Sequence, residues 1–313
     1  MEILNKLQEP IPQYVSGTFP AIATIGAAPF NSFRAKLLWI FRILGCPFTG
    51  LTYFCNVKNN DPLAMCAYWL PSENFEKEDG KKIPYRPFGH YAMELSPESE
   101  QYRKINECVA KSSVLERLGS LATAYFILVG TITAIAKLAR VSDRDNCSDW
   151  TYLPILLSWT LPAIVIRTIK GKIVVFDPSV KLVNEKIIAS KLSSGMRSDS
   201  RAHILITAVA SITIPWITVA IAYFTPPVSF ACRSKFLTIF CSIWSFNNTI
   251  AYISHIVGEK TVRGRSVIHS WFCFSGIVIA FLLVFLGILS NGPSWWVTLF
   301  GKGCDVSSVC TNG

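Results

Sequence analysis

An all-α membrane protein, a polytopic helical bundle of about five transmembrane helices, is the fold class this sequence predicts. Three observations predict it. Charged residues make up only 16% of the 313, against about 25% in an average soluble protein. Hydrophobic residues make up 51%, and mean hydropathy is +0.38. The apolar residues also gather into stretches close to the ~20 needed to cross a bilayer at about 1.5 Å per residue. This composition excludes a disordered chain. The net charge of +10 would point to nucleic acid in a soluble protein, but here basic residues flanking membrane helices account for it, and no nucleic-acid partner is expected.

The segments follow in chain order. Met1 to Pro10 has no basic stretch leading into an apolar core, so no cleavable signal peptide is expected and the first apolar helix serves as insertion signal. Residues 1–96 form an N-terminal region with a sixth helical candidate at 35–55, where Leu37 to Phe41 is interrupted by Arg42 and broken at Gly45 and Pro47. Arg34, Lys36 and Arg42 beside aromatic residues fit a helix lying in the interface; a re-entrant or spanning segment, which would make six transmembrane helices, is the alternative that the cost of a mid-span arginine disfavours. Ser96-Pro97-Glu98 carries the cap, proline and acid that open a helix. A stalk helix over 97–117 then runs on into the first span.

The bundle is expected over 118–289, with spans at 118–136, 152–169, 204–224, 236–256 and 267–289. Pro154 and Pro162 fall in the second span and Pro215 in the third, where each releases backbone groups. The loop 170–202 starts with the β-branched run Lys172 to Val175, a strand candidate. Asp177-Pro178 then opens a helix with Val180, Val183, Ile187 and Ile188 on one face. That amphipathic helix suits internal packing, anionic lipid or a cytosolic protein partner. A cysteine-containing tail, 290–313, ends the chain.

Charge sets the orientation. With five spans, twenty-three of the thirty Lys and Arg residues fall on the side of the N-terminal region and only five opposite: Arg140, Arg144, Arg233, Lys235 and Lys302. The positive-inside rule places the N-terminal region in the cytosol and the C-terminus outside, in the plasma membrane or a secretory-pathway membrane. Asn146-Cys147-Ser148 is a glycosylation sequon in a predicted outer loop, although chance explains a lone sequon equally well. Cys147, Cys232, Cys304 and Cys310 share that side and are disulfide candidates with three pairings.

The fourth span is the most polar. Ser245, Asn248, Tyr252 and His255 fall on one helical face. A polar stripe in lipid turns inward, either to line a solute pathway or to hydrogen-bond neighbouring helices. The first reading predicts an ion channel or small-solute pore, a homo-oligomer surrounded by membrane lipid, with Arg233 and Lys235 as charge at its mouth. The second predicts a non-transporting scaffold or assembly subunit. No phosphate-binding glycine loop, no HExxH box and no nucleophile–histidine set occurs, so neither an enzyme nor a cofactor or metal is expected.

Overall fold

The computed structural model describes residues 29, 32–56, 66, 75–77, 100–139, 155–182, 187–189, 194–224, 230, 232–257 and 264–289. These are mostly helical. The long helices are α4 (Val114–Ala139), α7 (Ser194–Phe224), α8 (Cys232–Val257) and α9 (Gly264–Leu289). Three of them contain stretches long and apolar enough to cross a membrane: Val114–Ile132, Leu205–Phe224 and Ser234–Ser254. The described apolar stretch of α9, Val267–Leu283, is shorter. The expected second span is different in kind. A 3₁₀ turn at Ser158–Thr160 leads into α5, Leu161–Lys170, whose 10 residues reach about 15 Å, half a hydrocarbon core. Pro162 opens α5 rather than kinking it, because a first-turn N–H needs no partner.

The segment 35–55, expected as an interfacial or re-entrant helix, packs one face against the long helices α8 and α9. It forms two helices, α1 (Phe33–Gly45) and α2 (Pro47–Asn56), separated by Cys46 alone. Cys46 has φ −140° and ψ 88°, outside the helical region that a following proline disfavours. Trp39, Ile43, Leu44, Cys46, Phe48 and Leu51 are buried, and Phe48 shares a core cluster with Ala208, Ala251, Ile268 and Phe272. Burying that apolar face outweighs the cost of taking Arg42 along. Its guanidinium Nη2 donates to His269 Nε2 at 2.7 Å and its carbon lies 5.2 Å from the Trp39 ring centre. A guanidinium only donates, so Nε2 of His269 accepts and its ring proton sits on Nδ1.

Directions follow from the contacts. Leu44 meets Trp244, Gly45 meets Asn247 and Phe48 meets Asn248, so α1 and α2 run parallel to α8. Ser211 meets Asn248 and Trp216 meets Ser245, so α7 runs antiparallel to α8. Helices α1 and α9 touch backbone to backbone. A Cβ on Gly45 would overlap the Phe272 carbonyl, and one on Gly276 would overlap the Phe41 carbonyl. Small residues at a crossing let helix backbones approach closely enough for dispersion contacts to hold them.

Helix α4 packs on α5 with an inverted pattern. Ser120, Thr123 and Ile127 are buried, while Leu118, Leu121, Tyr125, Phe126, Leu128 and Ile132 are exposed. Ser120 and Thr123 return their hydroxyls to the carbonyls of Glu116 and Gly119 at 2.9 Å. An apolar face turned outward and a small polar face turned inward suit a helix whose solvent is lipid.

A small module sits where α4 begins and α5 ends. The expected continuous stalk is interrupted: α3 (Glu100–Glu107) is followed by strand β2 (Val109–Lys111) and only then by α4. Strand β2 pairs antiparallel with β3 (Lys172–Val174), in register Val109 with Val174. Ser113 and Glu116 form a capping box, with Ser113 N–H donating to Glu116 Oε2 at 2.8 Å and Glu116 N–H to Ser113 Oγ at 3.2 Å. Gly171 turns the chain at φ +60°, with Arg117 lying where a side chain would stand. The expected amphipathic helix over 180–191 shrinks to α6 (Pro178–Lys181). Ile187–Ala189 instead forms β4, parallel to β1 (Phe75–Lys77), as suits its β-branched residues. Lys181 reaches Glu107 at 2.9 Å, a hydrogen bond and charge that hold the Glu107 carboxyl below its usual range.

Substituting Gly276 with Val should force α1 from α9 and lower the thermal midpoint in detergent. Gly119→Ala, which meets nothing within 4 Å, should leave it unchanged or raise it through the roughly 1 kcal/mol helix advantage of alanine. Equal effects of the two would refute the close-packed crossing.

Candidate functional site

The polar stripe of α8 meets two proline breaks, and the site is best read as backbone accounting. In an unbroken helix the N–H of residue 47 would bond the carbonyl of Ile43, but Pro47 has none. Cys46 N–H turns back to Arg42 and Ile43 at 3.1 and 3.2 Å, and Thr49 N–H closes on Cys46 O at 3.0 Å. Three groups are left over: the carbonyls of Leu44 and Gly45 and the N–H of Phe48. Each finds a side chain of α8. Trp244 Nε1 donates to Leu44 O at 2.6 Å, Asn247 Nδ2 donates to Gly45 O at 2.8 Å, and Phe48 N–H donates to Asn248 Oδ1 at 3.1 Å.

Pro215 makes the second break. Within α7 it removes the N–H that would bond Ser211 O. Asn248 Nδ2 donates to that carbonyl at 3.1 Å. One carboxamide therefore answers both prolines, giving a proton to the carbonyl one of them exposes and taking one from the N–H beside the other. Asn247 is used as fully, its Oδ1 accepting from Trp271 Nε1 of α9 at 2.9 Å. Both asparagines are 0% exposed. The Cys46 thiol adds weak bonds to Asn248 Oδ1 at 3.6 Å and Asn247 O at 3.8 Å.

The other expected site residues distribute unevenly. Ser245 is half-buried and accepts from Trp216 Nε1 at 2.8 Å. Tyr252 is half-buried, its ring edge-on to Phe48 at 6.3 Å. His255 and Arg233 lie within α8, but their side chains, like that of Cys232, are outside the described residues. Lys235 is half-buried near the start of α8. Asn146, Cys147, Cys304 and Cys310 lie outside the described residues altogether.

Sequence reasoning passed over Asn247, Trp244 and Trp271. Asn247 sits one position from the aligned face, and both tryptophans read as apolar bulk. The signal that would have found them is the arithmetic of Pro47 and Pro215, since each proline in a membrane helix demands a donor or acceptor from a neighbour.

No protein-family model matches the sequence, and neither the curated proteins nor the solved structures contain a match.

Asn248→Leu strands Phe48 N–H and Ser211 O in an apolar interior, at about 1–3 kcal/mol for each group left unsatisfied. A lower thermal midpoint and weaker amide-exchange protection in both α2 and α7 are expected. Loss confined to one of the two helices would refute the shared role of the carboxamide.

Proposed function

We propose that the chain is a non-transporting membrane assembly subunit, a rigid bundle that presents a folded module at its positively charged face. The observation that carries this reading is that both the nitrogen and the oxygen of the Asn247 and Asn248 carboxamides are hydrogen-bonded to groups of α1, α2, α7 and α9. Polar groups spent as interhelical glue are not available to replace a permeating solute's hydration shell. The module supports the same reading. It draws α3, β2, β3 and α6 from separate stretches of chain and so offers a defined surface to a protein partner.

One observation favours the second reading, an oligomeric pore or solute carrier. A discontinuous helix such as α1–α2, broken level with the middle of α8, is the geometry carriers use to expose backbone groups to a solute. In that reading Ser245, Tyr252 and His255 would carry the pathway face.

The same proposal has six crossings, with residues 155–170 counted as the return from α4 because Gly171 O accepts from Ser112 N–H at the start of α4. Together α1 and α2 cover residues 33–56, about 36 Å at 1.5 Å per residue, enough for a hydrocarbon core of roughly 30 Å. Running parallel to α8, this broken helix enters on the side where α8 begins. Residues 1–32 then share a side with 140–154, 225–231 and 290–313. Lys6, Arg34 and Lys36 change sides relative to the five-span reading and Arg42 lies within the bundle, leaving nineteen basic residues against eight. The positive-inside rule still makes the side of 57–113 cytosolic, and both termini become extracytosolic.

Protein reconstituted in liposomes should pass no ions, and Asn248→Leu should lower stability without creating flux. Flux that Asn248→Leu alters would overturn the subunit reading in favour of the pore. For the crossings, Ser16→Cys and Ser307→Cys should react with a membrane-impermeant maleimide from one side and Ser72→Cys from the other. Ser16→Cys and Ser72→Cys reacting from the same side would refute the sixth crossing.

A further inference from the structure

The module buries two thiols, Cys66 and Cys108, both 0% exposed although they are far apart in sequence. Cys108 Sγ donates to the carbonyl of Lys104 at 3.4 Å, and Cys66 Sγ donates to the carbonyl of Ile105 at 3.8 Å. Those carbonyls belong to adjacent residues in the last turn of α3, so both sulfurs sit over one helix end. The neighbouring Cys66 thiol is the chief influence holding Cys108 below its ordinary thiol value. The charges around Cys108 are mixed: Lys181 favours the thiolate, while Glu107 and Asp177 oppose it. The other described free thiols, Cys46, Cys241 and Cys273, belong to the membrane helices α1–α2, α8 and α9.

We propose that Cys66 and Cys108 form a reversible dithiol site that a small neutral peroxide closes to a disulfide, tying Cys66 to the end of α3. The Cys108 thiolate attacks one oxygen of the peroxide, the O–O bond breaks, and a sulfenic acid forms as hydroxide departs and takes up the proton Cys108 released. The Cys66 thiolate then attacks the Cys108 sulfur, the S–O bond breaks, and the departing hydroxide becomes water with the proton from Cys66. Two thiols and one peroxide give one disulfide and two waters, with two electrons passing from sulfur to oxygen. Thiol reductants of the cytosol, the compartment our topology assigns to this face, would keep the resting pair open. The closure itself requires only the fold of the module and holds whether or not the chain conducts.

The test uses the purified full chain in detergent, treated with hydrogen peroxide, blocked with N-ethylmaleimide, digested and mapped by mass spectrometry. The expected result is a peptide pair linked through Cys66 and Cys108 that dithiothreitol separates. Both cysteines recovered as maleimide adducts, as sulfinic acids, or in links to other cysteines would overturn the proposal. Cys66→Ser should leave Cys108 as a sulfenic acid that dimedone traps, and absence of that adduct in folded variant protein also counts against the pair. Should Cys66→Ser fail to fold, the wild-type map decides.

Discussion

A backbone group in a medium without water must find its partner within the protein, and this bundle is organised around the places where two helices cannot supply their own. Pro47 and Pro215 each break a ladder of helical hydrogen bonds. Both breaks are turned toward α8, which answers with two consecutive carboxamides and an indole. The neighbours are fixed by this demand: α1–α2 must lie along α8 in parallel, and α7 must cross it with Ser211 opposite Asn248. Helix α9 then closes the group through the interlocked backbones at Gly45 and Gly276 and the indole of Trp271. Apolar packing alone would leave such helices free to slide, whereas directional bonds to particular carbonyls set the register.

Away from this centre the same solvent rule works in reverse. On α4 the large apolar side chains face outward and the hydroxyls turn back onto their own helix. Where the chain leaves the bilayer, water returns as a partner. Capping box, paired strands and the Lys181–Glu107 pair then become the means of fixing structure. Two chemistries of order meet within a few residues at Ser112, whose N–H bonds Gly171 O and whose hydroxyl accepts from Arg117.

Much of the bundle was legible in the sequence because apolar run length is a one-dimensional signal. The helices α4, α7, α8 and α9 cover four of the five runs read as spans, while the second, 152–169, holds a 3₁₀ turn and the short α5. Broken elements were harder. Arg42, Gly45 and Pro47 favoured an interfacial helix over a spanning one at residues 35–55, since the sequence does not show that Asn247, Asn248 and His269 stand opposite. Those partners lie about two hundred positions away. The stalk was misread as continuous because helical periodicity runs through Ile105 and Val109. Ser113 and Glu116, a local start signal at capping-box spacing, would have corrected it. Ile187 and Ile188 read equally well as a helix face or a strand, and only pairing with Phe75–Lys77 decides between them. At the candidate site Asn248 was legible as polar and inward-facing, but its use on backbone rather than solute depends on two prolines in other helices.

The distance between Pro47 and Asn248 along the chain also bears on biosynthesis. A ribosome adding about 5–20 residues per second needs roughly 10–40 s to travel from one to the other. Throughout that interval the nascent α1–α2 hairpin-like break has its Leu44, Gly45 and Phe48 groups made but their partners untranslated. The pairing of α1–α2 with α8 is thus completed late, and a chain ended before α8 leaves the Leu44, Gly45 and Phe48 groups without these partners.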